Sequence, residues 1–277
     1  TDHLKALVSE RNHQTSLSQL RLAGDYVATC FESLGLPIQK EAVAYEGTET
    51  CNVLALKEGT DPDAGLFIIG AHYDTVIGSP GADDNASAVA ALLEIARCLK
   101  DAPLKTPLLF AGFTLEEYGF IGSTHYLEQA KRRNEKIIGM ISLEMLGCRR
   151  REPGSQEYPP YVDRTRYPDT GNFVAVVGNE PSQQLTVSLA ETMKKTVAEL
   201  PVEILVVPGR GDPFTDVRLS DHAPFWDYGY EAVMVTDTAF FRNPNYHQAT
   251  DTLDTIDVDF VRDITTGLAG FLESHLG

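Results

Sequence analysis

Apolar residues at Leu17, Leu20, Leu22, Ala23, Tyr26, Val27, Cys30, Phe31 and Leu34 recur at helical spacing, and Gly35 supplies a stop, so a helix is predicted over Thr1 to Leu34. The period then changes. Pro37 to Tyr45, Cys51 to Lys57 and Gly65 to Ala71 are rich in β-branched and apolar residues and read as strands, the first two as a hairpin. Ser87 to Lys100 returns to helical spacing, Pro107 to Thr114 is a buried-strand run, and Ser123 to Arg133 is again a helix. Strands follow at Ile137 to Leu143 and Asn172 to Val177, then a helix at Ser182 to Leu200 and a strand at Val202 to Val207. Glu231 to Thr236 is the last strand and Asp257 to Leu276 the closing helix. This alternation predicts an α/β three-layer sandwich, a mixed and largely parallel sheet flanked by helices, with functional groups at the carboxyl ends of the strands. No linker or repeat interrupts it, so residues 1–277 read as a single domain. One long stretch, Cys148 to Gly171, is too rich in proline and charge for regular structure, and we place it over the mouth of a site.

Composition narrows the classes. With 277 residues and 43% hydrophobic content the chain can bury a large core, and no apolar run approaches the roughly 18 residues needed to cross a bilayer. A net charge of −17 with no basic stripe argues against nucleic acid partners. Cys30, Cys51, Cys98 and Cys148 form no CxxC pair, which argues against thiolate metal sites, and those in helical patterns read as small apolar fillers. The first residue, Thr1, fits a mature chain after signal removal or a trimmed one, and we favour a periplasmic or secreted location over the cytoplasm.

Five acidic and histidine clusters stand where strands meet loops: AHYDT, GADDNAS, EEYGF, LEMLG and YHQATDT. His72 follows an apolar strand, with Asp74 two residues on and on the same face, placed to accept the proton of its second ring nitrogen. Asp83 and Asp84 precede a helix, where capping is the ordinary explanation; the alternative is that Asp84 bridges two cations with its two oxygens. Gly81 and Ala82 let backbone approach closely there. Glu116 and Glu117 leave a buried strand, so one can ligate metal while its neighbour moves a proton. Glu144 is enclosed by Ile141, Leu143, Met145 and Leu146, surroundings in which a charge must be paired. His247 lies in a loop beside Tyr246, whose hydroxyl can donate to a developing oxyanion. Two histidines and several carboxylates suit zinc, with manganese or cobalt as substitutes.

With these clusters the chain, from about Leu66 to Thr255, resembles the co-catalytic zinc aminopeptidases, the group of bacterial leucyl aminopeptidases and aminopeptidase Y. The resemblance implies a zinc exopeptidase fold and two zinc ions per chain. His72 and Glu144 would hold one, Glu117 and His247 the other, and Asp84 would bridge them. Glu116 would be the general base and acid, Asp74 the acid behind the histidine, and Tyr246 the residue near the oxyanion. It also implies peptide substrates with a free N-terminus, held near the metals. Two positions depart from the pattern: Glu144 where aspartate is commoner, and Ala88 where glycine is usual, so one metal is expected to be weakly held. Ser220 to Trp226 resembles a pocket-lining element, with Asp221 and His222 outside the metal set. Tyr158, Tyr161, Phe214, Phe225, Trp226, Phe240 and Phe241 are candidate pocket lining against the plainer alternative of core.

The leading expectation is a metal-dependent aminopeptidase working through a water activated by two metals. The alternatives are a single-zinc acyltransferase of the glutaminyl cyclase kind, which EEYGFIGS fits less well, and a non-catalytic relative, which the intact set of acidic and histidine side chains opposes.

Overall fold

The computed structural model describes residues 1–61 and 63–277. Its elements are α1 (Asp2–Leu7), α2 (Leu17–Ser33), β1 (Ile38–Tyr45), β2 (Thr48–Lys57), β3 (Leu66–His72), α3 (Ala88–Leu99), β4 (Leu108–Phe113) and α4 (Ile121–Arg132). There follow β5 (Ile137–Glu144), β6 (Val174–Asn179), α5 (Gln183–Thr196), β7 (Val202–Val207), α6 (His222–Asp227), β8 (Ala232–Thr236) and α7 (Val258–Leu276). The turn predicted between β2 and β3 includes residue 62, outside the described residues.

The strands form one eight-stranded sheet in the order β1-β2-β4-β3-β5-β8-β6-β7. β1 and β2 are the antiparallel hairpin, and β4, β3, β5 and β8 run parallel at the centre. Parallel strands covered on both faces read as unbroken apolar runs, which is why β4 and nearly all of β3 and β5 are buried. Alternate residues feed two cores. Phe67, Ile69, Val174, Val176, Val233 and Val235 pack with α2, α3, α5 and α7, while Ile68, Ala175, Val177 and Met234 pack with α4 and α6.

Connectivity puts the site at one place. From β3 the chain crosses by α3 to β4 on one side, then by α4 to β5 on the other, so the strand order reverses at β3. A crevice opens beyond the carboxyl ends where order reverses, and His72 is the last residue of β3.

Two sequence expectations need correction. Residues 8–16 are not helical: Arg11 is buried there and donates to the carbonyl oxygens of Tyr73 (2.7 Å), Pro80 (2.9 Å) and Gly81 (3.0 Å), and to that of Leu7. The apolar stripe starts only at Leu17, so the predicted helix was extended over a segment whose polar side chains bind a distant loop instead of their own helix. Cys98 is exposed and Cys30 and Cys51 are half-buried, so among the described residues only Cys148 behaves as a buried filler.

Candidate active site

Four turns converge at the crevice. Gly81, at φ 64°, opens the one carrying Asp83 and Asp84; a Cβ on Gly81 would sit 2.3 Å from Thr75 Cγ2 and 2.4 Å from Asp84 O, so no side chain fits. The two amides that follow are aimed at Asp251, whose Oδ1 and Oδ2 accept from Asp83 N (2.9 Å) and Asp84 N (3.1 Å). Asp83 turns inward and accepts from Gly147 N (2.7 Å), Ser87 Oγ (3.1 Å) and Asn243 Nδ2 (2.6 Å). Asn85 spans to the next turn, donating to Leu143 O (3.0 Å) and accepting from Met145 N (2.9 Å). The GADDNAS turn thus grips the end of β5, and Glu144 is fixed relative to Asp84.

The carboxylate of Asp84 is not a helix cap. Its Oδ1 lies 3.4 Å from His72 Nε2 and its Oδ2 lies 3.1 Å from His247 Nε2. Around His72 Nε2 stand Glu144 Oε2 at 3.5 Å and Glu116 Oε2 at 3.8 Å, and beside His247 Nε2 stands Glu117 Oε2 at 3.1 Å. Glu144 is buried, not solvent-facing, and Ser220 Oγ donates to its Oε2 at 2.7 Å. Asp74, fully buried, lies 3.4 Å from His72 Nδ1 and accepts from Glu116 N (3.0 Å) and Glu117 N (3.3 Å). It therefore orients both the histidine and the glutamate turn. Tyr246 stacks on His247 with ring centroids 3.8 Å apart.

The electrostatics are those of an acidic set short of cations. Burial and then the Asp84 charge push Glu117 up to about 7, and burial raises Glu116 well above the carboxylate range. Burial alone would lower His247, but the hydrogen bonds it donates to Asp84 and Glu117 raise it to about 10. Glu117 Oε1 is buried without a hydrogen-bond partner among the described residues. Ligand atoms of His72, Glu116 and Glu144, and of His72, Asp84 and Glu117, each lie within 4.8 Å of one another. Nitrogen and carboxylate donors so spaced, with an orphaned oxygen among them, fit divalent metal.

Arg11 and Asp251 are parts that sequence reasoning passed over. Asp251 was visible within the YHQATDT cluster, whereas nothing local marks Arg11. A third acidic group, Asp83 with Asp237 and Cys148, also clusters. Its oxygens already accept from Gly147, Ser87, Asn243, Cys148 and Ala239, so it is a hydrogen-bonded brace.

Next to Glu144 and Tyr246 the sheet face carries a cavity of about 90 Å³, walled by Gln156, Glu157, Tyr158, Pro159, Val162 and Tyr167 of the long loop. The loop is thus the side of a pocket. Tyr158, Phe240 and Phe241 line it; Tyr161 and Phe214 pack on each other at 4.8 Å, and Phe225 and Trp226 belong to the core.

Residues 52–272 match the model of peptidase family M28. The chain belongs to this family. Its M28 relatives include the uncharacterized Escherichia coli protein YfbL, 32% identical over 271 residues and covering 93% of this chain and 81% of that protein. The chain spans under half the length of other curated relatives it matches, among them probable zinc metalloproteases and aminopeptidases. The fold is that of the Legionella pneumophila LapA aminopeptidase (TM-score 0.77, 19% identity, 100% of this chain and 71% of that one). It is shared with Porphyromonas gingivalis glutaminyl cyclase (TM-score 0.69, 18% identity, 99% and 95%).

Proposed function

We propose that the chain is a zinc-dependent aminopeptidase that removes the N-terminal residue from peptides with a free N-terminus. The observation that carries this is the division of Asp84, whose two oxygens face two different histidines, each with its own glutamate. In this reading His72, Asp84, Glu117, Glu144 and His247 would hold two zinc ions, and manganese or cobalt would serve in their place. When bound, the two ions supply Lewis-acid polarisation of a water and of the scissile carbonyl.

The protein supplies the rest. Glu116 is left outside the metal set, and its Oε2 takes a proton from the water and hands it to the departing amine. Burial favours that role by raising the proton affinity of its carboxyl. Asp74 holds His72 in one orientation and, through the amides of Glu116 and Glu117, fixes the two glutamates as a unit. Tyr246, stacked on His247, donates in this reading to the developing oxyanion.

The test joins metal analysis to hydrolysis of aminoacyl-p-nitroanilides before and after chelation and zinc re-addition. Close to two metals with reversible activity is the expected result. Glu116→Gln should keep the metal and lose about 10²–10⁴-fold in kcat, and full activity in that variant overturns the mechanism. The shared cyclase fold keeps one alternative in view. Cyclisation of glutaminyl peptides without amide cleavage, on one tightly bound metal, is its signature.

A further inference from the structure

The cavity beside Glu144 has a graded floor. Glu144 pairs with Thr236 across β5 and β8, Thr236 with Ala175 across β8 and β6, and Ala175 with Glu203 across β6 and β7. All four line the cavity, so one row of the sheet runs from the metal-facing carboxylate to a second carboxylate three strands away. Neighbouring strands lie about 4.8 Å apart, which places the two ends of the row about 14 Å apart. Between them lie Thr236, whose hydroxyl accepts from Thr238 N, and Ala175, and the adjacent row is apolar, with Met234, Val177 and Leu205. Aromatic rings of Tyr158, Tyr167, Phe173 and Phe240 form the sides.

The charged lining residues are all acidic: Glu144, Glu157, Glu203 and Asp216, with no lysine or arginine among the described residues. Arg242, behind Phe173, is committed to Gln156 Oε1, Cys148 O and Phe173 O. Glu203 is half-buried, and among the described residues its carboxylate has neither a hydrogen-bond donor nor an ion-pair partner within 4.0 Å; the charge of Lys194 reaches it only from beyond that range. A half-buried, unpaired carboxylate at the far end of an aromatic-walled channel is completed by a cation.

We propose that Glu203 is a specificity-determining residue that selects N-terminal residues with a long apolar stem and a cationic end, lysine and arginine. The proposal rests on the aminopeptidase reading for the position of the peptide's amino end. A leucine side chain stops in the apolar stretch, whereas an extended lysine or arginine lays its methylenes along Ala175 and Val177 and carries its charge toward Glu203. Asp216 adds to the same field.

Norleucine isolates the charge, since it shares lysine's carbon stem without the ammonium. With the zinc-loaded full chain, kcat/KM for lysyl- and arginyl-p-nitroanilide should exceed that for the norleucyl compound by about ten-fold. Glu203→Gln should abolish that difference by lowering lysyl and arginyl hydrolysis toward the norleucyl value. Calorimetric binding of lysinamide and norleucinamide reads the same selection without turnover, and E203Q should again equalise the two. Equal or better handling of norleucine by the native chain, or an E203Q variant that weakens all substrates alike, overturns the proposal. Absence of cleavage of every substrate overturns the aminopeptidase reading instead, and Glu203 is then judged by the two amides alone.

Discussion

At the scale of single residues, the site depends on donors that set the direction of each carboxylate. Glu144 is one methylene longer than the aspartate usual in the resembled family, and Ser220 Oγ at 2.7 Å holds its Oε2 toward His72. Ser220→Ala frees that carboxylate, and affinity for one of two metals should fall about 10–100-fold while the other is unchanged, read by metal analysis along a chelator titration. His222 shows a different use of burial. Fully enclosed, its Nε2–H donating to Val217 O at 2.8 Å, it is pushed down from 6.5 to about 4. The unfolded chain takes up a proton at this residue as pH falls below 6.5, and the folded chain does so only near 4. The His222 contribution is therefore intact above pH 6.5 and is lost progressively on the way down to about 4, up to about 3 kcal/mol in total. Urea unfolding at pH 7 and pH 5 should show a smaller loss of stability in His222→Gln than in the native chain; equal losses would count against this account.

At the scale of elements, close backbone contact fixes the angles at which functional residues leave their strands. A Cβ on Gly122 would lie 2.2 Å from Thr114 O and 2.5 Å from Asn52 Oδ1. Asn52 of β2 donates from Nδ2 to Gly122 O at 2.8 Å and accepts at Oδ1 from Thr114 N at 3.3 Å, so it fastens the first turn of α4 to the end of β4, beyond which Glu116 and Glu117 emerge. Gly122→Ala should cost about 1–3 kcal/mol by forcing these elements apart, checked by denaturant titration, and should lower activity with it. Element types were legible in the sequence because apolar periodicity reports burial, and β7 was bounded to the residue at Val202–Val207. The shortfalls have two physical origins. Residues 8–16 are shaped by hydrogen bonds to residues 73–81, and the short helix α6 was read only as a pocket motif because its six residues are too few to show a period.

At the scale of the whole molecule, the sheet brings acids together at a cost that bound metal offsets. Among the described residues no helix is long and apolar enough to cross a membrane. Burial raises Glu116, Glu117 and Glu144, and repulsion from neighbouring carboxylates raises them further. Chelation should therefore lower Tm by several degrees, and zinc re-addition should restore it in proportion to the logarithm of free metal; an unchanged Tm would contradict metal binding by the folded state. The sequence by itself determined the alternation of strands and helices, the five clusters and the residue types able to hold metal, since each is written in local spacing and side-chain chemistry. Only the tertiary structure decided which oxygen of Asp84 faces which histidine, that Arg11 and Asp251 brace the turn, and that Glu203 ends the row begun by Glu144. Those relations join positions 12 to 168 residues apart, and a local pattern carries no information about the register across strands that brings them together.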